Sequence, residues 1–400
     1  MSLIKPFLAL MPPAAKAQQV AAPPYDVLSS DEARQMAAGN PDSFLHISKP
    51  EIDLPPDTAP YAAEVYARAK SNMADFLARG TLGRRDRPAY YIYQIDKKGH
   101  RQTGIAAAAS VMAYREGRIR RHEFTRPDKE TDRVRQIEAV GAHTGLVMTA
   151  HPTDDDLAAH LESWAKAHKP ALVVDLPDGS RHSITIIEEP DDCRTITEIF
   201  DSFSHIYIAD GHHRSAAAAR VSRDTGGRFL IVSFPCDEMR ILDYNRTVRD
   251  LGGLSADIFL AGVKKAYRID ALKGEEPPRR KGDVAMYLDG IWYRLRLPAD
   301  ARPDDPVNGL DVSLLTTRIL SPVLGIQDMR ADPRIDFVGG SRGLHTLSAR
   351  VDSGAAAVAF ALFPTAMAEL TAVADAGMIM PPKSTWFDPK LADGLVALPL

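Results

Sequence analysis
Asp210-Gly211-His212-His213-Arg214 places one carboxylate, two imidazoles and a guanidinium within five consecutive residues. Ile206, Tyr207 and Ile208 ahead of it have β-forming bulk, and Ala216 to Ala219 behind it are strong helix formers. The order predicts a strand, a tight turn at Gly211 and a helix that opens at the histidines. The first turn of a helix carries unpaired backbone N–H groups and the positive end of the dipole. Cations there are unfavourable unless an anion sits among them, and phosphate is the anion that suits the pattern. On that reasoning Arg214 pairs with the anion. Removing it should then leave the unliganded protein as stable as before, or slightly more so. Adjacent residues entering a helix diverge by about 100°. That divergence speaks against one metal ion shared by His212 and His213.

A second polar cluster holds His122, Glu123, Arg126, Asp128, Lys129, Asp132 and Arg133. His122-Glu123 begins like a zinc-protease helix, but Arg126 stands at the second histidine position and cannot ligate zinc. Two readings stay open for this stretch: a solvated charged loop, or a positioned base or magnesium ligand just after a strand. If both clusters serve one site, Glu123 and the His213 ring should face one cleft within ~10 Å. Tyr25 and Asp26, after a Pro-Pro pair, read either as a plain turn or as part of a site. Lys383, Ser384 and Thr385 follow Pro381-Pro382 and present three donors on a rigid arm. Residues 377–384 miss the phosphate-binding loop pattern, because Pro382 replaces its glycine and neither proline has an N–H. Val338-Gly339-Gly340-Ser341-Arg342-Gly343 reads as a turn.

The elements that must position these residues alternate without a sustained βαβ rhythm, which predicts an α+β, or mixed α/β, fold. Ser29 and Glu32 match a capping box, with Gly39 as the stop of the helix they open. A helix over 61–78 should bury Val65, Met73, Phe76 and Leu77. Strands are expected at 89–96 and 104–114, a helix in the second half of 120–145, and a helix over 152–168 capped by Thr153. Pro177-Asp178-Gly179 and Asp289-Gly290 mark hairpins. A helix over 312–325 and a strand over 355–363 follow, then another helix and an extended tail. Three regions are expected: 1–110, 111–250 with both polar clusters, and 251–400.

The 400 residues are 45% hydrophobic and 26% charged, with a net charge of −4, which gives no electrostatic footprint for nucleic acid or an anionic membrane. No apolar run is long enough to span a bilayer. Two cysteines without zinc-ligand spacing fit a reducing, cytoplasmic setting.

The stretches APPYDV, RHEFT with its following Lys129 and Asp132-Arg133, IADGHHR, LDVSLLTTRIL and MPPKSTWFDPKLADGLV occur in an order that resembles the family called domain of unknown function 1015. The resemblance spans nearly the whole chain. One departure is Asp243-Tyr244-Asn245 before Arg246, where that family more usually has Pro-Thr-His. The Asp-Gly-His-His-Arg turn is also similar, over about ten residues, to the phosphate-binding element of the ParB/sulfiredoxin superfamily. That superfamily includes nucleotide-dependent kinases acting on free L-serine. The local resemblance implies a ParB/sulfiredoxin-like nucleotide-binding core. In it Asp210, Gly211, His212, His213 and Arg214 hold phosphates, and Asp210 organises the turn or a magnesium ion.

The expected function is a phosphotransferase: a small-molecule kinase using Mg²⁺ with ATP or ADP, and free serine as first acceptor. Glu123 is the leading base, Asp26 the second, and His122 stands beside them. Lys129, Arg133, Lys383, Ser384 and Thr385 form an expected cage for substrate or phosphate. A non-catalytic nucleotide-binding switch and a phosphohydrolase at the same site are the alternatives. The expected partners are a nucleotide and a small hydroxyl-bearing metabolite.

Overall fold
Short β-branched and aromatic runs give the chain its strands, and long-range pairing decides which of them meet. The computed structural model describes residues 2–222 and 227–400. Two compact units divide it: Met1–Met239 with Pro389–Leu400, and Arg240–Asp388. The expected boundaries at 110 and 250 do not coincide with them. Residues 100–110 form a central strand of the first unit, so no break falls there.

The first unit is built on a nine-stranded mixed sheet. Its strands are β1 (Ile4–Lys5), β2 (Tyr90–Lys97), β3 (His100–Ser110), β4 (Ile119–Arg120), β5 (Val147–His151), β6 (Leu172–Asp175), β7 (Arg181–Ile187), β8 (Ile206–Asp210) and β9 (Arg228–Pro235). Their order is β4-β8-β5-β9-β3-β2-β7-β6, with β1 also on β3. Most neighbours are antiparallel. β4 and β8, however, run parallel, with Ile206 opposite Ile119, and β9 runs parallel to β5. That antiparallel majority explains why no sustained βαβ rhythm shows along the sequence.

Helices pack against this sheet and build a second core of their own. The capping box at Ser29 and Glu32 forms and opens α1 (Ser30–Ala37). α2 (Ala63–Ala78) buries Val65, Met73 and Phe76, but Leu77 points outward at 43% exposure. α3 (Pro127–Val140) ends at Gly141, whose φ of +69° closes the helix in the left-handed region. α4 (Asp155–Ala167) is capped by Asp154 and not by Thr153, whose hydroxyl donates to Asp237 instead. α4 and α5 (Pro190–Ser202) press Leu157, Leu161, Ile196 and Phe200 onto Ile92, Ile105 and Ile231. Each such fully buried side chain stabilises the fold by about 1.5–3 kcal/mol relative to exposure. α6 (His212–Val221) follows β8 directly. Both predicted hairpins form, around Pro177-Asp178-Gly179 in this unit and Asp289-Gly290 in the other.

The second unit is a six-stranded antiparallel sheet with Tyr287, Trp292, Leu347 and Ala359 in its core. The helix expected over 312–325 is a short α-helix, Asp311–Leu315, continued by a π-helical turn over Thr316–Leu320. Arg246 lies fully buried here, its guanidinium donating to the carbonyls of Tyr244, Pro382 and Lys383. Burial pushes that group down to about 9. Asp243 and Asn245 bond to each other, and Asn245 also accepts from the Leu362 N–H. No helix among the described residues is long and apolar enough to cross a membrane.

Candidate functional site
Because β4 and β8 are parallel neighbours, the residues that follow them emerge side by side. One end delivers His122 and Glu123, the other Gly211 to Arg214. A register irregularity between Ile208 and Asp210 re-aims the second end just before the turn. Gly211 then takes φ +98°, where a Cβ would lie 3.0 Å from Arg214 Nε and 3.3 Å from Val147 Cα. Only glycine suits both the angle and the approach.

The two clusters meet in the first turn of α6. Glu123 Oε2 lies 3.7 Å from His212 Nδ1, and the Arg126 N–H donates to His213 Nε2 at 3.1 Å. The rings of His122 and His212 pack edge to face, 4.5 Å apart. The two stretches therefore touch, Glu123 at His212 and Arg126 at His213. The expected charge is absent. Burial pushes His122 down to about 4, and burial together with His122 holds His212 well below its ordinary value. Both rings are neutral at pH 7. The His122 N–H approaches His212 Nε2 at 3.5 Å, so the ring proton of His212 belongs on Nδ1, facing Glu123. His213 accepts on Nε2, so its ring proton belongs on Nδ1.

Arg214 also departs from expectation. It is buried, and its guanidinium donates to the Leu146 carbonyl and lies 3.6 Å from Asp26 and 3.7 Å from Asp210. Burial opposes its charge, yet Asp26 and Asp210 hold it more firmly protonated than an ordinary arginine. Asp210 accepts from Lys390 Nζ at 2.9 Å. Burial raises this carboxyl, but Lys390 and Arg214 outweigh it and hold it well below the usual carboxylate range. The carboxylate expected to face magnesium thus faces two cations. Among the described residues no group of three or more His, Cys, Asp or Glu is placed to hold a metal. These residues do not fit a resident ion.

Arg133 bonds Asp132 at 2.6 Å and lies over the Tyr25 ring at 4.1 Å. Tyr66 donates to the other oxygen of Asp132 at 2.9 Å. Lys129 donates to the Tyr61 hydroxyl at 2.8 Å, and Arg126 pairs with Asp128. Lys383, Ser384 and Thr385 belong to the second unit, where Ser384 donates to Pro381 and Lys383 lies over the Tyr244 ring.

Lys390 and Asp393 were not read as site residues. They sit in the expected tail, within the quoted stretch FDPKLADG, and return to the first unit. A Lys and two Asp within the otherwise mostly apolar run 386–400 were the available signal.

A family model described as a protein of unknown function, DUF1015, matches residues 4–313. The chain belongs to this family. No curated protein matches it. Among solved structures, a conserved hypothetical protein from Pyrococcus furiosus aligns at 12% identity and a TM-score of 0.37, over 74% of this DUF1015 chain and 94% of its own. A free serine kinase in complex with AMP aligns at 10% identity and a TM-score of 0.39, over 74% and 91%. SbnI with a C-terminal truncation, from Staphylococcus aureus, aligns at 10% identity and a TM-score of 0.40, over 72% and 85%.

Proposed function
We propose that the chain is a nucleotide-dependent kinase that phosphorylates a hydroxyl on a small metabolite, with free L-serine the first acceptor to test. The observation that carries this reading is the juxtaposition of Glu123 with the first turn of α6. A carboxylate able to take a proton stands beside backbone donors able to hold a phosphate. The similarity of the DGHHR turn to phosphate-binding elements supports the same assignment.

In this reading the phosphates lie against the N–H groups of Gly211 to Arg214, with the His213 Nδ1–H and Lys129 as side-chain donors. The acceptor hydroxyl attacks the terminal phosphorus, its proton passes to Glu123, and the bond to the departing nucleotide phosphate breaks. His212, neutral and protonated on Nδ1, orients the Glu123 carboxylate. Asp26 and Asp210 act through Arg214, fixing the turn. Magnesium comes with the nucleotide as part of the substrate and neutralises the phosphates, since Asp210 is already engaged.

The decisive assay incubates the full chain with MgATP or MgADP and a panel of hydroxyl amino acids, with products read by mass spectrometry. Formation of O-phosphoserine is the expected result. Release of phosphate alone would make the protein a hydrolase. Tight nucleotide binding without turnover would make it a switch.

A further inference from the structure
Beside the turn lies a small cavity of about 30 Å³ that the mechanism above leaves unused. Its lining includes Tyr25, Ser48, Arg133, His143, Arg214 and Asp393. Three of these residues carry a buried polar atom with no hydrogen-bond partner: Ser48 Oγ, His143 Nε2 and Asp393 Oδ2. All three are more than nine-tenths buried. Leaving a buried polar atom without a partner is costly, so three in one cavity point to a guest.

The orphans specify what that guest is. His143 bonds the Arg228 backbone through its ring, and burial pushes it down to about 4, so it is neutral with Nε2 open as an acceptor. An ionised Asp393 Oδ2 only accepts, and a serine hydroxyl can accept. Three acceptors match the three N–H bonds of a primary ammonium group. Charge points the same way. The lining cations Arg133 and Arg214, with Lys390 beyond them, face the carboxylates Asp26, Asp132 and Asp210 outside the lining and Asp393 within it. One carboxylate is left over. Above about pH 7, where Asp393 ionises, water would satisfy the hydrogen bonds but not that charge; below it the carboxyl's own proton removes the charge. The volume admits a nitrogen and the carbon that bears it, because one water needs about 10–15 Å³ on this measure.

We propose that this cavity is a subsite for the primary ammonium group of the small molecule on which the neighbouring turn acts. This rests on the reading of that turn as a phosphoryl-transfer site. Asp393 pairs with the ammonium, His143 and Ser48 accept its other two hydrogens, and the rest of the molecule extends toward Arg214.

Asp393 supplies an independent readout. Burial and Asp26 together outweigh Arg214 and push it up to about 7 from an ordinary 3.8. The folded protein therefore holds a proton there that the unfolded chain releases. The resulting stability is complete below pH 3.8 and is lost as pH rises through about 7. Tyr25, Arg133, Arg214, Asp26 and neutral His143 are the groups that face this carboxyl. Above that pH an ammonium guest should restore what the ionised carboxylate costs.

The test titrates the full chain near pH 8 by calorimetry and follows its melting. The paired probes are ethanolamine against ethylene glycol, and methylammonium against tetramethylammonium at equal ionic strength. Ethanolamine should bind about tenfold or more tighter than ethylene glycol, the scale of one charge-assisted hydrogen bond. Methylammonium should raise the melting temperature more than tetramethylammonium, which the cavity cannot admit. Asp393→Asn should erase both preferences, and Ser48→Ala should weaken them. Equal responses within both pairs would overturn the proposal and leave the cavity to water. So would an Asp393→Asn variant that keeps the preferences. If that variant does not fold, the wild-type comparison decides alone. The two readings fail separately. An ammonium preference without phosphoryl transfer from MgATP retains the subsite and removes the kinase. Equal transfer to ethanolamine and ethylene glycol retains the kinase and removes the subsite.

Discussion

Glu123→Gln is expected to lower phosphoryl transfer on the order of 10²–10⁴-fold, the range for loss of a general base. Nucleotide affinity should be spared. The amide keeps the size of the carboxylate and can still receive the His212 Nδ1–H, 3.7 Å away, but it takes no proton. Glu123 is the right group for this effect because it is partly exposed, with 37% of its side chain open to a substrate. His122 and His212 are not. Burial keeps both neutral, and each faces protein rather than solvent. The comparison needs turnover and nucleotide titration on the same preparation. Turnover at the wild-type rate would place the base elsewhere, and Asp26→Asn would be the next variant.

Arg214→Ala should destabilise the nucleotide-free protein by about 3 kcal/mol, the low end for breaking a buried ion pair. Helix-dipole reasoning alone gives the opposite sign, since it removes a cation from a positive helix end. The structure reverses it. The guanidinium donates to the Leu146 carbonyl and lies in ion-pair range of Asp26 and Asp210, three partners on separate stretches of chain. The low end applies because Asp26 is partly exposed and can resolvate, and Asp210 keeps Lys390. Arg214→Lys should lose less, about 1–2 kcal/mol, since a lysine holds the charge but not the fork that serves acceptors in different directions. Urea denaturation without nucleotide measures both. An alanine variant as stable as the wild type would mean that these pairs contribute nothing, and that the cation exists for a ligand alone.

That reversal shows where the sequence was legible. Local signals held: the Ser29–Glu32 box, the Pro177-Asp178-Gly179 hairpin, and the strand–turn–helix through Gly211, each a matter of a few adjacent residues. That the two polar clusters lie near one another was legible in outline, because each directly follows a strand. What failed was whatever depended on distant partners. The histidines looked cationic because their burial is set by tertiary packing. Arg214 looked unpaired because Asp26 lies far from it in sequence. Lys390 and Asp393 looked like tail because nothing near them announces Asp210 or Arg214. Thr153 and Asp154 are both good caps, and the competing bond from Thr153 to Asp237 decided between them.

The interrupted composition of the first unit bears on how its site is assembled. Residues 389–400 can reach Asp210 and Arg214 only across the whole of Arg240–Asp388. Closing a flexible loop of that length carries an entropic cost that grows with the logarithm of its size. A folded insert avoids most of it. At its two ends, Ile241-Leu242 pairs with Phe387-Trp386, and Arg240 bonds Asp388 at 2.8 Å. The ends of the insert are thus held together, so that residue 389 leaves it beside the point where the chain entered. A substitution that loosens only this pairing should therefore weaken the Lys390–Asp210 bond without altering either residue.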